Sequence, residues 1–148
     1  MAFPPPEGHH TITPGASVPH VSEVLAFIET VFGGKIIERY DAPDGTCMHA
    51  EIMIDDCAFM LGTPAEGEKS YPALLSYYVD SANKVDALYE KALVAGAISR
   101  VEPVDQFYGY RTASVEDAGG NGWTICAVVE QLTEEEIAAR MESMSNES

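Results

Sequence analysis

His49 and Glu51 stand two residues apart in the stretch Thr46–Gly62, TCMHAEIMIDDCAFMLG. A strand turns alternate side chains to opposite faces, so an imidazole and a carboxylate at this spacing share one face. Met53 and Met60 fall on the same parity. A carboxylate among soft apolar side chains loses hydration, which raises its pKa and fits it for general-base work, with His49 as proton partner. The same pair, joined by His9 or His10 from upstream, offers nitrogen and oxygen to a divalent metal at a non-standard site. The plainer reading is a hydrogen-bonded pair orienting a pocket wall. Further along, Arg111 is one of only 8 basic residues and suits a ligand carboxylate or an ion pair. Phe107, Tyr108 and Tyr110 form an aromatic loop that fits a planar ligand or a subunit seam. Cys126 has no neighbouring base in the sequence and reads as a packed thiol.

The element that must position His49 and Glu51 is a hairpin. Asp55-Asp56 separates two alternating runs, so Ile54 should face Cys57, Ile52 face Phe59 and Glu51 face Met60. The opposite face, Ala50, Ile52, Ile54, Cys57, Phe59 and Leu61, is wholly apolar and needs a cover. Upstream, Thr11–Val18 alternates as a strand weakened by Pro14. Val21, Val24, Leu25, Ile28, Val31 and Phe32 form a helical stripe closed by Gly33-Gly34. Lys35–Tyr40 is a further strand. Residues 73–79 then begin the same order again. A helix capped by Asp80 or Ser81 carries Val85, Leu88, Ala92 and Leu93 and ends at Gly96. An extended segment 97–104 and a hairpin around the turn AGGNG follow, with Trp123 on the core parity. Thr133 and Glu136 form a capping box for a helix over 134–144.

The expected fold is therefore α+β. Two βαβββ modules form one curved mixed sheet with a concave groove, and helices lie on the convex face. The partition is an extended Pro-rich arm at 1–10, a first module at 11–62, a linker at 63–72, a second module at 73–129 and an acidic tail at 130–148. With 148 residues, 46% of them apolar, the chain can bury the core of one domain. A net charge of −16, from 24 acidic against 8 basic side chains, excludes nucleic acid and anionic membranes as partners. It favours a cationic small molecule. The N-terminus lacks the pattern of a signal peptide, and three cysteines without C-x-x-C spacing fit a reduced, cytoplasmic protein.

Several phrases carry a resemblance: PEGHHTITP at 6–14, APDGTCMHAEIMIDD at 42–56, VDQFYGYR at 104–111 and GWTICAVVEQLTEEEIAARM at 122–141. With the paired modules, they resemble the vicinal oxygen chelate superfamily (glyoxalase, bleomycin-resistance proteins, dioxygenases), and within it the PhnB-like (YdfH-like) branch. The sequence departs from that branch at Gly15, usually aromatic, and at Tyr110, usually Asp. It departs again at 117–121, usually D-P-F-G-H. These departures imply a wider groove mouth or one of altered polarity.

The resemblance implies metal ligands of His, Gln or Glu on the first, fourth, fifth and eighth strands of metal-dependent members. Those positions fall here on Thr13, Met60, Leu74 and Thr124, none a competent ligand. The expected protein is metal-free and without cofactor, the alternative being a divalent metal at the non-standard site. It binds a small, aromatic or cationic organic molecule in the groove. Thr13, Met53, Met60, Leu74, Tyr78, Phe107, Tyr108, Arg111 and Thr124 are its ligand-binding residues. The family implies a homodimer, with each cavity built from both chains. The other reading is a lyase, isomerase or dioxygenase-like enzyme with Glu51 and His49 as its catalytic pair.

Overall fold

The computed structural model describes residues 1–147, so Ser148 of the acidic tail lies outside the described residues. The first module comprises β1 (Gly15–Ser17), α1 (Val21–Phe32), β2 (Lys35–Asp41), β3 (Cys47–Ile54) and β4 (Cys57–Gly62). The second comprises β5 (Leu74–Tyr78), α2 (Ala82–Val94), β6 (Ile98–Asp105), β7 (Tyr110–Glu116) and β8 (Gly122–Val128). A last helix, α3 (Glu134–Asn146), follows. Each module is a four-stranded mixed sheet, ordered β1-β4-β3-β2 and β5-β8-β7-β6, with β1 parallel to β4 and β5 parallel to β8. The expected α+β architecture stands. The strand ladders are hydrogen-bonded as two sheets of four, joined near their edges by a bridge between Ser17 and Tyr71.

The opening hairpin has the register its alternation dictates: Ile54 opposes Cys57, Ile52 opposes Phe59 and Glu51 opposes Met60. Asp55 takes the left-handed turn conformation at φ 49°, which Asp tolerates better than most residues. Ala50, Ile52, Phe59 and Leu61 are buried against the helix side. Helix α1 ends at Gly33, whose φ of 67° suits a residue without Cβ. Ser81 caps α2 by accepting from the Lys84 amide, and Thr133 and Glu136 form the reciprocal capping box of α3. Helix α2 buries Tyr89 beside Val85 and Ala92, with the Tyr89 hydroxyl against that of Ser99 at 2.6 Å.

Strand β1 is shorter than the alternation over 11–18 predicts. Pro14 cannot donate to a ladder, and Ile12 is left almost fully exposed. The turn 117–121 also differs from expectation. It is not at a groove mouth but buried, with Asp117 and Asn121 4% and 0% exposed. The Asp117 carboxylate accepts from the amides of Gly119 and Asn121, from the Asn121 side chain and from the Trp123 indole. The Asn121 side-chain oxygen in turn accepts from the Ala73 amide at the entry to β5. At Gly119 a Cβ would stand 2.8 Å from Val18 and 2.9 Å from Val24, so this turn packs directly on the first module.

Asp117→Ala would strand buried donors of this knot, each costing about 1–3 kcal/mol when left unpaired. The expected loss is roughly 3 kcal/mol or more of unfolding free energy, read from the denaturant midpoint.

Candidate functional site

Strand pairing separates the sequence-predicted residues into two clusters. On the inner face of the first sheet, His49 Nε2 lies 3.4 Å from Glu51 Oε1, with Met53 and Met60 on the same face. The N-terminal arm is not free. The Ala58 amide donates to the Gly8 carbonyl at 2.9 Å, and the Met60 amide donates to the Pro14 carbonyl at 3.1 Å. Gly8 has φ 79°, which strains a residue with a Cβ, and a Cβ there would fall 2.3 Å from the Met53 Cε and force that side chain to shift, so glycine suits this seat. His9 thereby reaches Glu51, with Nε2 3.2 Å from Oε2, and its side chain is only 9% exposed. His9 Nδ1 donates to the Glu7 carbonyl. That carbonyl, and then the Glu51 carboxylate, raise the His9 pKa above its ordinary value against the opposing effect of burial. His10 turns away to the Asp56 carbonyl. Thr13 lies outside β1, exchanging hydrogen bonds with the His10 backbone, and Gly15 takes the place beside Met60.

The inner face of the second sheet carries hydroxyls and rings. Thr124 Oγ1 and Ser114 Oγ are 2.9 Å apart across β7 and β8. Tyr78, Tyr110, Tyr108 and Phe107 form a chain of edge contacts with centroid spacings of 6.1, 5.2 and 5.3 Å. Among the described residues no hydrogen bond, ion pair or ring contact joins the two inner faces. Leu74, on the same face at the edge strand, is 92% exposed.

Two predicted contributors point elsewhere. Arg111 opposes buried Ala127 and faces α2, where its guanidinium bonds Asp86 at 2.8 and 3.2 Å and Asp105 at 3.0 Å. These carboxylates raise its pKa further, and they leave it as a brace for α2 rather than a groove residue. Cys126 does face inward but is 4% exposed, and burial pushes its thiol pKa up, away from nucleophilic use. A hollow of about 670 Å³ runs between Tyr77, Tyr78, Val79 and the α2 residues Lys84, Leu88 and Lys91, so it borders the second cluster at Tyr78 and is separate from the first.

One residue of the first cluster was not visible in the sequence pattern. Alternation places Glu38 with the outward side chains of β2. A bulge between Ile36 and Glu38 resets the parity, so that Glu38 stands directly opposite Glu51. The ligating atoms of Glu38, His49 and Glu51 lie within 4.8 Å of one another.

The profile of the Glyoxalase/Bleomycin resistance protein/Dioxygenase superfamily matches residues 8–125. The chain belongs to that superfamily. It is 27% identical to the uncharacterized protein Rv0887c of Mycobacterium tuberculosis, over 91% of this chain and 84% of that protein. Its fold is similar to that of the PhnB protein from Bacillus cereus, with TM-score 0.66, 15% identity and coverage of 80% and 99%. It is similar also to the fosfomycin resistance protein FosX of Listeria monocytogenes bound to Mn(II), with TM-score 0.62, 15% identity and coverage of 87% and 94%. No helix among the described residues is long and apolar enough to cross a membrane.

The metal position shared by the superfamily's metal enzymes does not fit this chain. Its ligands would come from the inner faces of β1, β4, β5 and β8. Here those faces carry Gly15, Ser17, Ala58, Met60, Leu74, Ser76, Tyr78, Thr124 and Cys126, with no His, Glu, Asp or Gln. Thioether, hydroxyl and a buried, protonated thiol do not make a site for Mn, Fe or Zn.

Because Gly8 holds φ 79°, a conformation that strains a residue with a Cβ, and a Cβ there would also push the Met53 thioether aside, Gly8→Ala is expected to lift the arm. Amide hydrogen exchange should then speed at Ala58 by at least tenfold, and stay unchanged at Ile125 in the second sheet.

Proposed function

We propose that this protein is a PhnB-like (YdfH-like) homodimer that binds a small organic molecule against the inner face of its second sheet. The observation carrying this reading is the state of that face. Leu74, Tyr78, Ile98, Val101, Val104 and Val128 are 40–92% exposed on it and along its edge, around the Ser114–Thr124 hydroxyl pair. An apolar patch of this extent with a few polar groups at its centre is the composition of a ligand wall awaiting its other side. The first sheet of the same chain does not supply that side, since its inner face is covered by Gly8–His9. A second copy does so without any further partner.

The ligand class follows from the lining. Tyr78, Tyr110, Tyr108 and Phe107 offer ring faces to a planar molecule, and a chain of charge −16 attracts cations. This is binding and sequestration, with no step routed through a metal.

A second reading has one observation in its favour. Glu51 lies between two imidazoles, His9 and His49, an arrangement suited to proton transfer in a lyase, isomerase or dioxygenase-like enzyme. The Glu51 side chain is 14% exposed beneath the arm, so a substrate would have to displace His9 to reach it.

Native mass spectrometry is expected to show a dimer, shifted to monomer by Leu74→Asp together with Ile98→Asp. A cationic aminoacridine dye should bind the dimer more tightly than an anionic dye of equal size. Tyr78→Ala and Tyr110→Ala should each weaken it about tenfold, or about 1.4 kcal/mol. Equal binding of both dyes, unmoved by either substitution, would remove the reading. Turnover abolished by Glu51→Gln, with dye binding intact, would favour the second.

A further inference from the structure

We infer that Glu38, His49 and Glu51 form a binding site for a first-row divalent cation, with His9 of the arm holding Glu51 in place. This site is separate from the metal position of the superfamily, which draws on other strands, and the inference stands independently of ligand binding on the second sheet.

Three observations carry it. The first is the donor set. One imidazole nitrogen and two carboxylates, their atoms within 4.8 Å of one another, are close enough to share a single ion, with positions left over for water. The second is the strand register. Glu38 and Glu51 are direct cross-strand partners on β2 and β3, and like charges so placed repel. The repulsion is imposed by a bulge, without which Glu38 would point to the opposite face. In a chain of net charge −16, a cation between the two carboxylates removes that local cost.

The third observation is the outer support. The Tyr40 hydroxyl donates to Glu38 Oε1 at 2.6 Å, and the Tyr40 ring stacks over His49 with centroids 6.4 Å apart. His9 engages Glu51 at Oε2 from the side opposite to His49, which approaches Oε1. His9 is itself oriented, its Nδ1 donating to the Glu7 carbonyl. Groups that clamp ligating carboxylates and fix ring orientations in this way are what outer partners of a metal site do. The His49 ring is 42% exposed and Glu38 lies at the sheet edge, so an ion can enter from solvent.

Full-length protein stripped with chelator and dialysed against micromolar Zn(II) should retain one equivalent per chain. Co(II) should give a visible d–d spectrum reporting nitrogen and oxygen ligation, without the intense near-ultraviolet band of a thiolate. Glu38→Gln and His49→Asn should each lower Zn(II) affinity at least tenfold, and His9→Gln by about 10- to 100-fold as the loss of an outer partner. His10→Gln, an imidazole of the same arm bonded elsewhere, should leave affinity unchanged. Metal-free, Glu38→Gln should melt no lower than the parent, since it relieves the repulsion with Glu51, and His49→Asn, at a half-exposed position, should melt close to it. Zn(II) retention below one equivalent, a thiolate band with Co(II), or equal affinity in Glu38→Gln would each overturn the inference.

Discussion

The indole of Trp123 is the contact on which the two modules depend. It projects from the helix side of β8 and is 2% exposed. Its ring meets Phe32 and Phe27 of α1 at 4.7 and 6.2 Å and Phe59 of β4 at 5.8 Å. One side chain of the second sheet therefore lies inside the core of the first. Neither four-stranded sheet with one helix has enough apolar surface to stand alone, and a shared aromatic cluster is how the pair escapes that limit. The polar edge of the indole is satisfied by Asp117, so the carboxylate that organises the β7–β8 turn also orients the ring joining the modules. Fold and seam are thus one hydrogen-bonded unit.

That seam accounts for how much of the molecule could be read in advance. Wherever an element has one face against the shared core, apolar periodicity reports it. Ile52 opposite Phe59, the stripe of α1 and the parity of Trp123 are all set by burial, and a one-residue slip would expose every one of them. The readings falter where burial exerts no such control. The edge strand β2 can bulge without exposing a core residue, and the bulge moves Glu38 to the inner face. Arg111 was a groove candidate through its rarity and its aromatic neighbours. The position sits one residue off the inner parity of Tyr110 and Thr112, and its partner Asp86 lies 25 residues away on α2. The residues at 1–10 look like a solvated arm because Pro, Gly and His carry no periodic signal. Residues 1–7 are indeed exposed, but Gly8 and His9 are docked, through the Ala58 amide and the Glu51 carboxylate.

The two inner faces show how a topological repeat can diverge. Both sheets have the same strand order, and both turn a concave face away from the helices. The first face holds Glu38, Glu51 and His49 and is covered by its own N-terminus. The second holds hydroxyls and aromatic rings and is exposed along its edges, at Leu74, Tyr78, Ile98, Val101, Val104 and Val128, with Thr112 and Cys126 buried at its middle. A charged face cannot be left half-buried without partners, since desolvated carboxylates need donors. The arm supplies one in His9. The centre of the second face has neutral groups whose hydroxyls satisfy one another, and its one carboxylate at the end of β7, Glu116, is paired with Arg100.

This difference bears on where ligands can act. On the strands where the superfamily's metal enzymes would place ligands from both modules, this chain turns Met60, Ser76 and Thr124 inward. What remains is a division between the sheets. Charged side chains stand at the β2–β3 edge of the first, and exposed apolar side chains on the wall of the second. The bulge at Ile37 belongs to this division. It brings two carboxylates together at an edge strand, the one place in the sheet where a register change costs the core nothing.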